Sequence, residues 1–435
     1  MSNVKVEVVA GITTFLAMSY IIIVNPVILH NAGLPLGPAM VATIMAAAVA
    51  TILTGVYTKR PFAMAPYMGE NAFFTYAVVL ALGVSWSVAL GAVFVAGLIF
   101  LVVTLAGVRK AVTEAIPPFL SASWAVAIGL FLLFIGMANA GISLPGIPGA
   151  PVVAGNFSSL NVIVVLVGLV VTLYLLIKRV LGSILIGIVV TMVLGFILGF
   201  LGFGESFPKA VPQVFGPLPN WGEVFLKLDI VGALSTVVLI PIIAVMFLMD
   251  FLDTTGTVIG LGAKAGFLDE KGRLPGVEKV MYVDALATVF GAIFGTSTTG
   301  TYIESATGIE QGGRTGLTAI VTGLLFLVAL IFTPFFSGIP PSFLQLIAAP
   351  ALITVGILMM APIKMIDFSD LTQAIPATLT IAFMLFTYNI GFGLAAGLVA
   401  YPLAKTAAGR RNEVHPLAWV LWVLGVLLFI VYPYH

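Results

Sequence analysis

Long runs of apolar residues, separated by short polar stretches, follow one another along almost the whole chain. A helix needs about 20 apolar residues to cross the hydrocarbon core of a bilayer, and the pattern predicts fourteen such segments. The run 375–405 is interrupted at 389–393, so it is predicted to be two short helices that meet near mid-membrane. The other segments are 8–29, 38–57, 62–82, 86–107, 120–138, 160–177, 182–203, 232–262, 280–295, 296–311, 315–336 and 342–361.

A further apolar run, 416–434, follows these segments. It either spans the membrane or lies at its surface, with Trp419, Trp422 and Tyr432 as interfacial anchors. The sequence leaves this choice open.

Lysine and arginine are concentrated in alternate loops. The loops 30–37, 83–85, 139–159 and 337–341 contain neither residue, and only the loop 204–229 blurs the alternation. Because Lys and Arg accumulate in the cytoplasmic loops of membrane proteins, this distribution predicts a multi-pass protein of the cell membrane with a cytoplasmic N-terminus. The composition agrees: 61% of the residues are hydrophobic and 8% are charged, whereas about 25% of an average soluble domain is charged.

The composition also argues against several classes of function. The net charge is only +1, so nothing favours a nucleic-acid partner, and the absence of cysteine excludes disulfides, thiolate metal sites and cysteine nucleophiles. The three histidines, His30, His415 and His435, are predicted to lie in loops or at the C-terminus, which argues against a buried histidine metal site. We therefore expect neither a cofactor nor an enzymatic activity.

A short motif with an acid occurs once in each half of the chain. Residues 65–72 read Ala-Pro-Tyr-Met-Gly-Glu-Asn-Ala, and residues 301–306 read Thr-Tyr-Ile-Glu-Ser-Ala, with Glu70 opposite Glu304. Proline and glycine break the first copy, and a run of Thr, Ser and Gly precedes the second. Each copy is therefore predicted to be a short extended segment that leads into a half-helix. Broken segments at matching positions of two halves are typical of the binding site of a secondary transporter.

A second repeated motif predicts that the two halves have opposite orientations. Ile-Pro-Pro occurs at 116–118 and again at 339–341. By the charge pattern, the first copy follows a cytoplasmic loop and the second follows an external loop. An odd number of spans per half reverses the orientation of the second half, so the prediction is an inverted repeat of seven plus seven segments.

Several acids are predicted to lie at membrane depth without a lysine or arginine at the same depth. They are Glu70, Asp250, Asp253, Asp284 and Glu304. A carboxylate at the centre of a membrane helix is unfavourable by about 2.5–3.5 kcal/mol, so its presence indicates function. Asp253 and Thr257 share a helix face because they are four residues apart, whereas Asp284 is predicted to be structural and interfacial. Carboxyl groups that can gain and lose a proton indicate proton-coupled transport.

Many of these residues belong to motifs that resemble the AzgA-like purine permeases, a branch of the nucleobase:cation symporter-2 (xanthine/uracil permease) family. The resemblance covers nearly the whole chain in the same order. It departs at two positions, because the family's pattern has glycine where Tyr67 stands and an apolar residue where Glu70 stands. The matching motifs are Gly11-Ile12-Thr13-Thr14-Phe15, Val24-Asn25-Pro26, Ala65-Pro66-x-Met68-Gly69-x-Asn71-Ala72, Asp253-Thr254-Thr255-Gly256-Thr257, Glu304-Ser305-Ala306, Gly312-Gly313-Arg314-Thr315-Gly316 and Val414-His415-Pro416.

The resemblance implies an all-α fold of fourteen transmembrane segments with short strands in segments 3 and 10. Residues 8–107 and 230–337 would form a core domain that binds the substrate, and residues 108–229 and 338–435 a gate domain that moves against it. The family's two principal acids correspond to Asp253 and Glu304, which would hydrogen-bond the base and couple protons. The candidate substrate-binding residues are therefore Glu304, Asp253, Glu70, Asn71, Ala65, Met68, Tyr302 and Thr257.

The function expected from these features is proton-coupled import of a purine base such as adenine, guanine or hypoxanthine. The rings of Tyr67 and Tyr302 would allow the base to stack. The alternatives within transport are a uracil or xanthine permease and an anion transporter of the same fold, although Glu304 disfavours an anion site. A membrane enzyme would need a nucleophile–base pair or metal ligands at depth, and only acids occur there. Sodium in place of the proton, and assembly as a homodimer, stay open.

Overall fold

The computed structural model describes residues 3–107, 109–147, 150–270 and 273–431. Within these ranges the chain is mostly helical, and ten helices are long and apolar enough to cross a membrane. Two shorter apolar helices, Leu371–Phe386 and Pro416–Val431, accompany them. The all-α polytopic fold predicted from the sequence is therefore confirmed.

The first half of the chain contains the elements of segments 1 to 7. Segment 1 is broken into two helices, and segment 3 begins as a strand and continues beyond its first helical turn as a wider π-type helix, Phe73–Leu80. The elements are α1 (Val4–Met18), α2 (Ile21–Asn31), α3 (Leu36–Thr58), β1 (Met64–Pro66), α4 (Met68–Ala72), α5 (Trp86–Leu105), α6 (Arg109–Ala115), α7 (Pro118–Asn139), β2 (Ser143–Ile147), β3 (Ala150–Ala154), α8 (Leu160–Ile177) and α9 (Ser183–Phe200).

The second half contains segments 8 to 14 and one additional helix. Segment 10 again begins as a strand. The elements are α10 (Ile230–Ser235), α11 (Leu239–Ala265), α12 (Val277–Phe294), β4 (Thr299–Thr301), α13 (Ser305–Glu310), α14 (Gly316–Ala329), α15 (Thr333–Ser337), α16 (Pro341–Leu358), α17 (Leu371–Phe386), α18 (Ile390–Ala407) and α19 (Pro416–Val431).

Helix packing follows one plan in both halves. Helix α3 of segment 2 packs against α14 of segment 11, and the equivalent pair, α12 of segment 9 and α5 of segment 4, packs in the same way. Helices α8 and α9 form a hairpin, as do α17 and α18. At the crossing of α7 and α16, a Cβ built on Gly129 would lie 2.9 Å from the carbonyl oxygen of Gly356, the close approach that small residues allow in membranes. The pairs α3–α14 and α12–α5 correspond to each other when the two halves are interchanged, as an inverted seven-plus-seven repeat predicts.

The two central strands come from different halves and pair with each other. Beyond the paired residues, the amide of Tyr67 donates to the carbonyl oxygen of Thr298 (3.0 Å), and the amide of Tyr302 donates to that of Ala63 (2.8 Å). Irregular backbone is tolerated at membrane depth only where its polar groups are satisfied within the protein. The strands are antiparallel, with Met64 opposite Thr301, Ala65 opposite Gly300 and Pro66 opposite Thr299. The predicted short strands of segments 3 and 10 are thus confirmed.

The end of the chain is a helical hairpin followed by one more helix. Helices α17 and α18 are 16 and 18 residues long, or about 24–27 Å at about 1.5 Å per residue. The predicted interruption is present as the turn between Phe386 and Ile390, and the meeting of the two helices near mid-membrane stays a prediction. Helix α19 runs alongside α18, because the ring of Phe429 near its end lies 5.4 Å from that of Phe392 near the start of α18. It does not lie flat at a surface, and Tyr432 is outside the described residues.

Two smaller features were not predicted. His30 lies in the last turn of α2 and not in a loop, and its Nδ1 lies 2.9 Å from the carbonyl oxygen of Leu34. His415 does precede α19 in a loop, and His435 is outside the described residues. Strands β2 and β3 pair as an antiparallel hairpin in the loop 139–159.

Candidate functional site

A cavity lies between the strand pair and its flanking helices on one side and α7 with the end of α16 on the other. It has two adjoining lobes, which we name the Glu304 lobe (about 340 Å³) and the Glu70 lobe (about 300 Å³). Asp253 and Thr257 of α11 line both lobes. The opposite wall is largely apolar and includes Ala125, Ile128, Val355, Leu358, Met359, Ala361 and Pro362. Ser121 and Trp124 of α7 also line the Glu70 lobe. Acids on one wall and hydrocarbon on the other suit a flat ligand with polar edges.

Glu304 lies at the junction between β4 and α13, as predicted. It directly precedes the first residue of α13 and is partly exposed to the cavity. Its Oε1 accepts a hydrogen bond of 2.7 Å from the hydroxyl of Tyr20. Among the described residues, no lysine or arginine forms an ion pair with it. The carboxylate therefore keeps acceptor capacity for a ligand in the Glu304 lobe.

Asp253 stands where the two lobes meet. It shares one face of α11 with Gly256 and Thr257, which also line the cavity. A Cβ built on Gly256 would have no neighbouring atom within 4 Å, so this part of the helix surface is open. The side chain of Asp253 is exposed to that open space. Its carboxylate is therefore accessible from both lobes.

Glu70 lines the other lobe and is 6% exposed. Counted from the last residue of the preceding strand, Glu70 is the fourth residue and Glu304 the third. The structural equivalent of Glu304 is therefore Gly69, and the sequence pairing of Glu70 with Glu304 is wrong by one residue. Because α4 begins two residues after its strand and α13 four residues after, a linear alignment cannot match both elements. Glu70 and Glu304 border different lobes, with Asp253 between them.

Met68 and Tyr302 line the Glu304 lobe together with Tyr67. The rings of Tyr67 and Tyr302 are stacked, with centroids 6.2 Å apart and planes 10° apart. The hydroxyl of Tyr302 donates to the carbonyl oxygen of Pro66 (2.7 Å). These rings are therefore held by the scaffold and present a fixed aromatic surface to the lobe.

Ala65 and Asn71, also predicted to bind substrate, line neither lobe. Ala65 is buried in β1. The side-chain nitrogen of Asn71 donates to Oδ1 of Asn25 (2.8 Å), and the nitrogen of Asn25 donates to the hydroxyls of Thr43 (2.7 Å) and Thr296 (2.8 Å). This buried network joins segments 1, 2 and 3 to the start of segment 10. Both residues support the cavity wall from behind.

Two further acids lie between α11 and α12, behind the strand pair. Thr288 donates to Oδ2 of Asp250 (2.6 Å), and Thr254 donates to Oδ2 of Asp284 (2.5 Å). The amide and the hydroxyl of Thr301 both donate to Oδ1 of Asp284, at 2.8 and 2.6 Å. The prediction of an interfacial Asp284 is wrong, because these donors hold it fully buried. Asp284 fixes β4, and neither acid lines the cavity.

Tyr20 and the apolar wall were missed by reasoning from the sequence. Tyr20 lies in the turn between α1 and α2, and nothing in the sequence distinguishes it from the other ten of the eleven tyrosines. The wall residues belong to ordinary apolar helices, so only the implied meeting of a core and a gate domain points to them. Within the described ranges, no group of three or more His, Asp or Glu side chains is placed to hold a metal ion.

Comparison with known proteins agrees with the motifs. The Xan_ur_permease profile, described as a permease family, matches residues 5–396. The chain is 46% identical to a putative permease of Methanocaldococcus jannaschii, over 99% of this chain and 95% of that protein. It is 38% identical to the guanine/hypoxanthine permease PbuO of Bacillus subtilis (97% and 96% covered). It is 36% identical to the adenine permease AdeP of Escherichia coli (100% and 94% covered).

Solved structures show the same fold at lower sequence identity. The transmembrane domain of the cyanobacterial bicarbonate transporter BicA matches 94% of this chain with a TM-score of 0.63 and 16% identity, and 98% of that domain is covered. At this identity the likeness concerns the fold alone. The profile match and the full-length relatives establish the family. The chain is a multi-pass membrane protein that belongs to this permease family, the nucleobase:cation symporter-2 family that its motifs resemble.

Proposed function

We propose that this protein is a proton symporter that imports purine nucleobases across the cell membrane. The observation that carries the proposal is the position of Glu304. It is an acid without a described ion-pair partner, at the junction of a paired strand and a short helix, and it faces a cavity with an apolar opposite wall. The names of two relatives, a guanine/hypoxanthine permease and an adenine permease, supply the substrate class.

The Glu304 lobe offers the contacts that a purine requires. The N–H groups on the edge of guanine or hypoxanthine would donate to the carboxylate of Glu304, a charge-assisted hydrogen bond. The hydroxyl of Thr257 can donate or accept at another edge. The base would lie between the aromatic surface of Tyr302 and the apolar wall around Met359. A simple inorganic anion would use neither the ring surface nor the acid.

We infer that residues 8–107 and 230–337 form a core domain and residues 108–229 and 338–435 a gate domain. Helices within each set pack on one another, as α3 does with α14 and α7 with α16. Helix contacts between the sets are sparser, at places such as α2 with α16 and α4 with α7. The loop 221–229, just before the second part of the first set, already packs on α12 and α5. The cavity lies on this boundary, since Glu304 belongs to the first set and Met359 to the second. A boundary with limited contact favours relative movement.

One end of the boundary is open. The Glu70 lobe extends past Pro362 to Met365, beside the loop that carries Lys364. The alternation of Lys and Arg along the chain assigns this end to the cytoplasm. This favours an inward-facing state with a cytoplasmic N-terminus.

The opposite end of the boundary is closed by a polar chain and a cluster of rings. Asn31 donates to the hydroxyl of Tyr76 (3.0 Å) and accepts from the amide of Gln345 (2.9 Å). The ring of Tyr76 lies 5.9 Å from that of Phe131 and 5.6 Å from that of Tyr388. We name these five residues the external seal. Asn31 and Tyr76 belong to the core set and the other three to the gate set, so outward opening would have to separate them.

Uptake by the purified protein in proteoliposomes tests the function. We expect radiolabelled hypoxanthine to accumulate above its external concentration when the outside is made acidic, and unlabelled guanine or adenine to compete. Accumulation driven by a sodium gradient at equal pH would show that sodium, and not the proton, is the coupling ion. Competition by uracil or xanthine, without competition by adenine or guanine, would instead identify a uracil or xanthine permease.

A reversible cross-link tests the domain division. Because the chain has no cysteine, the pair Asn31→Cys and Gln345→Cys can be introduced without removing native thiols. We expect oxidation to stop uptake and reduction to restore it, because the disulfide would hold the seal closed. The matched control is Asn161→Cys with Ser206→Cys, a hydrogen-bonded pair within the gate set (3.1 Å), which should transport in both redox states. Uptake that is unchanged in the oxidised Asn31–Gln345 pair would contradict movement at this boundary.

A further inference from the structure

Tyr20 has an unusual position for a buried tyrosine. It occupies the turn that interrupts the first transmembrane segment, after α1 ends at Met18 and before α2 begins at Ile21. Its side chain is 1% exposed, yet it lines the Glu304 lobe. A buried hydroxyl requires a hydrogen-bond partner, and that of Tyr20 donates to Oε1 of Glu304 at 2.7 Å.

The other two tyrosines of the Glu304 lobe use their hydroxyls differently. Tyr302 donates to the carbonyl oxygen of Pro66. The hydroxyl of Tyr67 lies 3.1 Å from that of Thr254, whose own proton is given to Asp284, so Tyr67 is the donor. Both hydroxyls therefore fasten the scaffold. Among the described tyrosines of this lobe, Tyr20 is the one whose hydroxyl donates to an acid of the cavity.

We propose that Tyr20 is a positioning residue that sets the affinity for the base by fixing the carboxylate of Glu304. The inference rests on the proposed function, in which Glu304 accepts from the substrate. A glutamate side chain has several rotatable bonds. Fixing them when a ligand binds costs conformational entropy, and this cost weakens binding. A hydrogen bond from a ring held in the protein core removes that freedom before the substrate arrives.

The direction of this hydrogen bond also determines which oxygen is available. Because Tyr20 donates to Oε1, that oxygen has one lone-pair site left, whereas Oε2 keeps both. The N–H donors of the base are then directed mainly to Oε2, and a proton on Glu304 would reside on Oε2. Tyr20 and Glu304 both lie in the inferred core domain, so the bond would persist while the gate moves.

The experiment compares Tyr20→Phe with two other tyrosine-to-phenylalanine variants in proteoliposomes. Tyr20→Phe should raise KM for hypoxanthine and guanine about tenfold, the effect of losing one hydrogen bond to a charged group, with Vmax within about twofold of the wild type. Tyr67→Phe removes a hydroxyl that does not contact Glu304, so its KM should change less. Tyr401→Phe, in a separate cavity, should match the wild type. Tyr20→His keeps an N–H donor and should have a KM between those of Tyr20→Phe and the wild type.

The outcomes separate this inference from the proposed function. A wild-type KM in Tyr20→Phe, together with loss of binding in Glu304→Gln, would overturn the role of Tyr20 and leave the purine site in place. Wild-type affinity in Glu304→Gln would overturn the proposed site itself. A lower melting temperature and lower Vmax at unchanged KM would show that Tyr20 only stabilises the fold. If Tyr20→Phe does not reach the membrane, Tyr20→Leu, which also lacks a donor, decides, and a KM equal to that of the wild type would count against the inference.

Discussion

The acids of the cavity and the acids beside the ends of α17 and α18 have opposite surroundings. Glu304 meets a neutral hydroxyl, and Asp253 faces open space. In contrast, Asp370 and Glu413 both pair with Arg410, at 2.9 and 2.7 Å. The two regions therefore use the same functional group in different electrostatic contexts.

These contexts decide which acids can exchange a proton. The hydroxyl and amide of Thr372, together with Arg410, lower the pKa of Asp370 to about 2. Hydrogen bonds from Arg410 and Lys405 lower the pKa of Glu413 to about 2. Both groups stay ionised at any physiological pH, so they are fixed charges. Acids without such partners are the ones suited to carry a proton during transport.

The largest effect is expected from Glu304→Gln, which should abolish binding and uptake of purine bases while the protein still folds. An amide is neutral and offers one acceptor oxygen, so the charge-assisted contacts disappear. We expect affinity for hypoxanthine, measured by calorimetry in detergent, to fall by more than about 100-fold. The control is Glu310→Gln on the same short helix, an exposed acid that pairs with Lys264. Wild-type affinity in Glu304→Gln would contradict the assignment of Glu304 as the residue that binds the base.

The next effect concerns coupling. Asp253→Asn should prevent accumulation driven by a pH gradient more than it weakens binding, because the variant removes a titratable group that faces both lobes. Exchange of labelled for unlabelled hypoxanthine without a gradient should continue, which makes the same preparation its own control. Unchanged uphill accumulation in Asp253→Asn would show that the proton is carried elsewhere.

Glu70→Leu should have a moderate effect and leave a working purine transporter with a shifted pH profile. Glu70 borders the lobe that it shares with Asp253, and two carboxylates near one cavity influence each other's ionisation. Removing one of them should therefore alter the pH dependence of uptake. Superimposable profiles of variant and wild type would indicate a structural Glu70, and complete loss of transport would make it a primary site residue.

The smallest effect is expected at the fixed charges. Arg410→Gln should leave uptake unchanged and lower the melting temperature by only about 1–3 °C, because exposed ion pairs contribute little. The pKa values of Asp370 and Glu413 lie below their ordinary values. The stabilisation is therefore present above about pH 5 and declines as the pH falls towards 2. Melting curves of both proteins between pH 8 and pH 3 should converge only at the acidic end, and a difference that grows on acidification would reverse this account.

The fold was predictable because the membrane restricts what a chain can do. Segment length, loop charge and the repeated broken motif each follow from the requirement that backbone polar groups be satisfied within the protein. These constraints act along the sequence, so they can be read from it. The strands in segments 3 and 10 and the junction position of Glu304 were predicted for this reason.

The parts that failed depend on contacts between distant segments. The donors that hold Asp284 come from Thr254 and Thr301. No local sequence pattern predicts that these two residues lie next to Asp284. The bond from Tyr20 joins residues 284 positions apart. The one-residue error in matching Glu70 with Glu304 arose because the two half-helices begin at different distances from their strands. Such offsets are decided by packing, which a linear comparison does not contain.

The pairing of β1 with β4 has a consequence for how the protein is made. Apart from Met64, whose amide and carbonyl bond to the hydroxyl of Thr51, β1 takes its backbone partners from the second half of the chain. Ala65 and Pro66 therefore have no partner until residues 299–302 have been synthesised. During that interval their polar backbone groups must stay near water or be shielded by another factor, because bare polar groups are unstable in lipid. The ligand pocket would therefore assemble late, after most of the polypeptide has entered the bilayer. Truncated chains that end before residue 299 should be inserted yet open to proteolysis at 62–68.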